Sequence, residues 1–314
     1  MTLSVRDTGG AVRHLRADGI AIRATLRPLG VFGSDPTHRW SSNGFAKSVL
    51  TPEGAASIRF TWTSSGHVGV KAWGPGRVWA LEQAPRWVGL HDDLTGFDPS
   101  LNSKVNEVWR RRGPIRLAST GLVWQALVFV IIGQRVTTQE AMRSWRRLVA
   151  AADEPAPGPD GLSLPPSPAM VASLSYVDLH RMNIERRRAD AMVLAAKRAN
   201  RMEEAASMTP ADALVRLSAL PGLGVWTATS TITTCHGDPD TIVLRDYGLP
   251  TMVNYAFTGN AKRMPADDGG DEMMCAHLAP WAGHRQRIVR LLSMAGMSPP
   301  RRAPRAFNPD IRRL

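Results

Sequence analysis

Residues 20–74 carry short apolar runs in which β-branched and aromatic side chains are frequent. Ile20, Ile22, Thr25 and Leu26 come first, followed by a stretch rich in Gly, Pro and Ser. Residues 45–50, 58–63 and 68–73 form three further runs. Thr51-Pro52-Glu53-Gly54 and Ser64-Ser65-Gly66 separate them and have the chemistry of turns. The pattern predicts a small antiparallel sheet, followed by a helix over residues 78–90.

From about Asp93 the period changes. Leu122, Gln125, Ala126, Phe129, Val130 and Gly133 fall on one helical stripe. Residues 137–151 predict the next helix, with Ala141, Trp145 and Leu148 inward and Arg143, Arg146 and Arg147 outward. After a Pro-rich loop over 154–168, helices are expected over 169–174, 186–201 and 210–217. Residues 227–234 also read as a helix, because they follow Gly224, although threonine is a poor helix former. Residues 267–271 read as a loop, and one or two helices close the fold over 271–292. The fold class is α+β. A β-rich segment (1–92) precedes a mainly helical domain (93–297) and a Pro/Arg-rich tail (298–314), expected to lie extended on the surface. No internal repeat is visible.

Composition narrows the function classes. The chain has 314 residues, 43% of them hydrophobic, and only two cysteines, Cys235 and Cys275. A disulfide scaffold and a four-cysteine zinc or iron–sulfur site are therefore excluded for this chain alone. Residues 1–10 hold Arg6 and Asp7 and lack the apolar run of a signal peptide. The longest apolar stretch, 122–133, contains Gln125 and is too short to span a bilayer. A soluble, cytoplasmic protein with no membrane partner is expected. The net charge is +12, and residues 101–200 hold 15 basic against 8 acidic side chains. Such an excess suits a polyanion, nucleic acid before membrane; the alternative is an arginine-rich composition without a binding role. The eight histidines show no metal-ligand spacing, and Asp267, Asp268, Asp271 and Glu272 read as a solvated loop.

The most informative string is Leu220-Pro221-Gly222-Leu223-Gly224-Val225-Trp226-Thr227-Ala228. Two glycines one residue apart permit a tight turn. Pro221 is expected to stop the preceding helix, and Thr227-Ala228 to lie in the next. The new helix N-terminus presents unpaired N–H groups and a positive dipole end, which suit a phosphate. The alternative is an ordinary helix–turn–helix connection.

This string resembles the hairpin of the helix-hairpin-helix (HhH-GPD) DNA glycosylases, and in particular their AlkA-like 3-methyladenine glycosylase branch. Three further segments match in order. They are the apolar helix ending in Gly133-Gln134-Arg135, then Gly237-Asp238-Pro239-Asp240 with Arg245-Asp246-Tyr247-Gly248-Leu249, then Leu278-Ala279-Pro280-Trp281 with Arg285. The resemblance covers about residues 95–295. It implies two helical subdomains flanking a DNA-filled cleft, and it marks Asp246 as the catalytic carboxylate. A carboxylate there stabilises a cationic, oxocarbenium-like sugar and orients a water. Read without the resemblance, Asp246 is equally a helix cap or a partner of Arg245.

The resemblance also assigns the surrounding residues. Trp226 and Trp281 would wall a pocket for an electron-poor alkylated purine, against a plain reading as core tryptophans. Leu220, Pro221, Gly222, Leu223, Gly224 and Thr227 would form the DNA-binding hairpin. Gln134 and Arg135 would probe or wedge the duplex while the target base is flipped out. Trp226 stands where bifunctional relatives carry a Schiff-base lysine, so no lyase step is expected. Ser230 replaces an aromatic residue common in this branch, and Arg135 replaces an apolar wedge. Those two departures bear on the substrate range. No cofactor and no side-chain metal site are required, and no iron–sulfur cluster is expected; a sodium or potassium ion on hairpin carbonyls is compatible with the family. The implied protein is a monomeric, monofunctional glycosylase acting on damaged double-stranded DNA in the cytoplasm, at the nucleoid. Open alternatives are a glycosylase for deaminated or oxidised bases, and a non-catalytic DNA-binding protein that keeps the hairpin.

Overall fold

A computed structural model describes residues 4–6, 10–31 and 33–300. Six strands form one antiparallel sheet: β1 (Ser4–Arg6), β2 (Gly10–Arg16), β3 (His38–Ser41), β4 (Gly44–Thr51), β5 (Gly54–Trp62) and β6 (His67–Trp73). Their order across the sheet is β1-β2-β6-β5-β4-β3. Alternation decides which face is buried. Ala56, Ile58 and Phe60 of β5 and Val68, Val70 and Ala72 of β6 all point into the core. Helix α2 (Arg77–Trp87) covers that face, where Trp87 stacks on Phe60 with ring centroids 5.9 Å apart.

Two expectations change here. The run expected as a first strand is the short helix α1 (Ile22–Leu26). Ile22, Thr25 and Leu26 are its buried residues, at the i, i+3, i+4 spacing of a helix face, and β-branching disguised that spacing. Strands β1, β2 and β3 lay outside the expected set. In β2, basic residues Arg13, His14 and Arg16 interrupt the apolar pattern, and the strand is fixed by pairing with β6 more than fifty residues away.

The helices that follow are α3 (Ser103–Arg112), α4 (Val123–Gly133), α5 (Thr138–Ala152), α6 (Pro168–Ser173), α7 (Tyr176–Arg181), α8 (Arg186–Lys197) and α9 (Ala199–Glu203). After them come α10 (Pro210–Ser218), α11 (Val225–Cys235), α12 (Leu249–Thr258), α13 (Asp271–Leu278) and α14 (Arg285–Met294). Helix α5 starts on a capping box in which Thr137 and Glu140 satisfy each other's backbone N–H. Helix α4 is buried on nearly every side, because α5, α8, α9 and α11 all pack on it. The predicted stripe therefore understated its burial, and Phe129 and Val130 are among its less buried residues. Residues 266–270 lead into α13 through a kink, with non-helical backbone at Asp268 and Gly269, in keeping with the expected loop.

The apolar residues gather in three clusters. The first is the sheet with α1 and α2, joined by Ala118 and Leu122. The second is built from residues 123–235. The third unites α3 with α12, α13 and α14. The chain passes through α3, leaves for the second cluster, and returns to the third across the loop between α11 and α12. From residue 301 on, the expected extended tail lies outside the described residues.

Candidate active site

The hairpin joins α10 to α11. Helix α10 ends at Ser218, so the chain leaves the helix before Pro221 is reached. Gly222 has φ +88°, and a Cβ there would stand 2.6 Å from the Cβ of Ala191. Both conditions demand glycine. Gly224 differs: it caps α11 with φ −80° and ψ 179°, and a Cβ there would meet nothing within 4 Å. Only one of the two glycines is required by the turn. The other leaves the backbone open to approach. No side chain caps α11, so the N–H groups of its first turn have no intrahelical acceptor. Pro221, Gly222 and Gly224 are exposed, whereas Leu223 and Thr227 are each 2% exposed and anchor the hairpin from below. Leu220 is half-buried against the second cluster.

Four of the five threonines of α11, Thr229, Thr231, Thr233 and Thr234, bond back to carbonyls of their own helix. Thr229 donates to the Val225 carbonyl at 2.7 Å, and Thr231 to that of Thr227 at 2.8 Å. Ser230 is half-buried, with its carbonyl accepting from Thr233 and Thr234.

Gln134 caps the end of α4 and reaches the hairpin. Its Nε2 donates to the Gly222 carbonyl at 3.0 Å and to Thr227 Oγ1 at 2.9 Å. The N–H donors of its amide thus brace the hairpin. Arg135 beside it is exposed, with φ +58°. A non-glycine residue in the left-handed region is uncommon and costs of order 1–3 kcal/mol.

Asp246 lies in the loop between α11 and α12, where the second and third clusters meet. Its Oδ1 accepts from the backbone N–H groups of Gly248 and Leu249, each at 2.8 Å. Its Oδ2 accepts from Trp226 Nε1 at 2.9 Å. The N-cap of α12 is Gly248, so Asp246 is not itself the cap residue; one of its oxygens closes a turn onto the start of that helix, while the other faces the hairpin helix. Arg245 does not pair with it; the Arg245 backbone, at φ +56°, donates to Asp271 Oδ2 at 2.9 Å. Trp226 is half-buried, and its ring edge lies near Gly133. Residues 133–135, 220–227 and 246 thus converge, though more than 100 positions separate the first from the last.

Trp281 does not join them in the same way. It is 4% exposed, its Nε1 donates to the Asp98 carbonyl at 2.8 Å, and it packs with Phe257 in the third cluster. It leaves almost no face on which a base would stack, and the plain core reading describes it.

The site also contains residues that the sequence reading passed over. Asp240 accepts from the backbone N–H groups of Gly283 and Arg285 at 2.9 and 3.1 Å, and Arg285 closes a two-point ion pair on it. The bonds from Arg285 hold the Asp240 carboxyl below the usual carboxylate range and raise the Arg285 guanidinium. This clamp fixes the loop that carries Asp246. Both partners lay in the quoted motifs, but 45 residues apart. Tyr247, next to Asp246, is 69% exposed with the Arg263 guanidinium 4.4 Å over its ring. Among the described residues, no group of three or more His, Cys, Asp or Glu is placed to hold a metal ion.

No protein-family model matches the chain, and no curated protein matches it by sequence. Solved structures do match. A 3-methyladenine DNA glycosylase from Archaeoglobus fulgidus superposes with a TM-score of 0.72 at 17% identity, over 90% of this chain and 97% of its own. An 8-oxoguanine glycosylase/lyase from Clostridium acetobutylicum, in complex with double-stranded DNA, gives 0.64 at 10% identity over 94% and 98%. A 3-methyladenine DNA glycosylase from Schizosaccharomyces pombe, in complex with abasic DNA, gives 0.51 at 14% identity over 63% and 94%. The sheet and the helical clusters of this chain together have the fold of the helix-hairpin-helix DNA glycosylases.

Proposed function

We propose that the protein is a monofunctional DNA glycosylase that removes alkylated purines, of the 3-methyladenine and 7-methylguanine type, from double-stranded DNA. The observation that carries this is the Asp246 carboxylate, fixed by three N–H donors beside an uncapped helix and an exposed hairpin. A pure binding module gains nothing from a carboxylate beside phosphates, since like charge weakens binding.

The hairpin N–H groups at Gly224 and the start of α11 hold a DNA phosphate. Arg135 enters the space left by the flipped nucleotide, while Gln134 keeps the hairpin in register. The flipped base rests against Trp226, with Trp281 supporting the pocket from within the core. As the bond from C1′ to the purine breaks, its electron pair leaves with the base and positive charge develops on the sugar. Asp246 stabilises that charge and orients a water, whose oxygen adds to C1′ and whose proton passes through the carboxylate to solvent. Schiff-base chemistry needs an amine, and Trp226 has none, so an abasic site is the product.

No organic cofactor and no catalytic metal enter this scheme. A sodium or potassium ion is proposed on the hairpin carbonyls. Those of Leu220 and Gly222 already accept from Leu223 N and Gln134 Nε2, and each keeps a second lone pair. The protein is proposed to act as a cytoplasmic, nucleoid-associated monomer; among the described residues, no helix is long and apolar enough to cross a membrane.

The test is release of free base from methylated duplex DNA. Asp246→Asn is expected to lower single-turnover release by roughly 10²–10⁴-fold while duplex binding is retained. Wild-type protein that binds duplex but releases no base from methylated DNA or from any of the rival substrates would leave only the non-catalytic alternative. Parallel duplexes with hypoxanthine, uracil or 8-oxoguanine decide between this substrate class and its deaminated or oxidised rivals.

A further inference from the structure

A groove of about 840 Å³ lies between the sheet domain and helices α3 and α14. Five arginines line it: Arg23 in α1, Arg27 just after it, Arg111 and Arg112 at the end of α3, and Arg290 in α14. Trp62, at the end of β5, forms part of its wall. No Asp or Glu is among the lining residues, and neither are Gln134, Trp226, Asp246 or the hairpin.

Most of these guanidinium groups are fixed by neutral acceptors, which orient a charge without cancelling it. Arg27 donates to the carbonyls of Gly30 and Val31, Arg112 to that of Met294, and Arg290 to that of Ala24. Arg23 bonds to the Ser41 and Ser42 carbonyls and stacks 5.0 Å over Trp40 and 5.7 Å over Trp62. Only Arg111 has a carboxylate partner, Glu107. Burial, with the nearby charge of Arg27, brings the Arg290 guanidinium down to about 10. Converging cations of this kind repel one another until an anion sits among them. The volume falls in the roughly 300–1,000 Å³ range of sites that hold whole small ligands, more than a lone phosphate needs. Basic groups along a groove with an aromatic ring on its wall match the chemistry of a single strand, phosphates on arginine and a base on the ring.

We propose that this groove is a second nucleic-acid site, taking the phosphate backbone of a single strand with a base against Trp62. It is separate from the Asp246 cleft and does not depend on the glycosylase assignment.

The experiment is fluorescence anisotropy with a labelled, undamaged oligothymidine of roughly a dozen nucleotides, within the span of such sites. Wild type is compared with Arg27→Gln/Arg112→Gln, two exposed positions outside the cleft. The double variant is expected to bind several-fold more weakly. Its log K against log salt should be shallower by about 1.4, two contacts at about 0.7 each for a single strand. Trp62→Ala is expected to weaken binding without changing the slope. If thermal melting shows the double variant unfolded, Arg27→Gln alone takes its place with a slope change of about 0.7. Unchanged affinity and slope in a folded variant would overturn the proposal. So would full displacement of the oligonucleotide by sodium phosphate where sodium chloride of equal ionic strength fails, since that marks an inorganic-anion site. Because the probe carries no damaged base, a wild type without glycosylase activity leaves this result intact.

Discussion

At the residue scale, the site depends on what each polar group is already bonded to. Asp246 is held on both sides: one oxygen accepts from the N–H groups at the start of α12 and the other accepts from Trp226. Trp226 therefore positions the carboxylate, besides the proposed contact with the base. Trp226→Phe keeps a ring but removes the N–H. Hydrogen bonds to charged groups contribute about 1.5–3 kcal/mol, so base release by this variant should fall by roughly 10- to 100-fold. Single-turnover release against wild type checks this; a rate equal to wild type would leave the tryptophan as packing alone. Gln134 shows the opposite shift. A side chain expected to meet DNA spends its donors on Gly222 and Thr227, beside the exposed Arg135.

At the element scale, the hairpin separates two kinds of glycine. Gly222→Ala forces a Cβ against Ala191 at a positive φ, and a loss of about 1–3 kcal/mol is expected. Gly224→Ala meets no atom and no forbidden angle, so its stability should stay within about 0.5 kcal/mol of wild type. If the exposed backbone of Gly224 approaches phosphate, the second variant will still bind duplex less well. Thermal melting and duplex binding on the two variants separate fold from function. The same segment shows how far local pattern reaches. A threonine-rich run was legible as helix from its place after Gly224, and the structure adds the reason, hydroxyls bonded back to carbonyls one turn earlier. The strand expected at Ile20 to Leu26 failed because the five-residue helix there holds too little periodicity to separate a helix face from an alternating strand.

At the scale of the whole molecule, the sheet domain is locked to the helices by buried ionic contacts. Arg287 and Asp92, both almost fully buried, form a two-point pair, and Asp92 also accepts from Leu117 N. Asp35, before β3, accepts from Trp145 of α5 at 3.0 Å and from Thr37, with His38 Nδ1 3.2 Å away. Burial acts to raise the Asp35 carboxyl, but His38, Lys47, Trp145 and Thr37 together hold it well below the usual range. A depressed folded value means that the ionised group contributes stability above its unfolded value of about 3.9, and that this is lost as pH falls below it. Asp35→Asn is therefore expected to cost about 1.5–3 kcal/mol at neutral pH. It should also flatten the fall in stability below about pH 4. Chemical denaturation across pH 3–7 tests both, and a variant that keeps the acid slope of wild type would refute the assignment.

The sequence by itself determined the α+β class, most of the helices, the hairpin string and the candidate carboxylate. The class, the helices and the hairpin are legible because periodicity and glycine spacing act over short stretches of chain, whereas Asp246 was marked by the resemblance that those motifs carry. Only the tertiary structure decided which of those residues meet. It joined Gln134 to Gly222, Trp226 to Asp246 and Asp240 to Arg285, and it withdrew Trp281 into a core. It also gathered Arg111 and Arg112, at the end of α3, with arginines from residues 23–27 and 290 around one groove. Burial and hydrogen-bond partnership are properties of what lies across a gap in space, and a linear pattern carries no record of that distance.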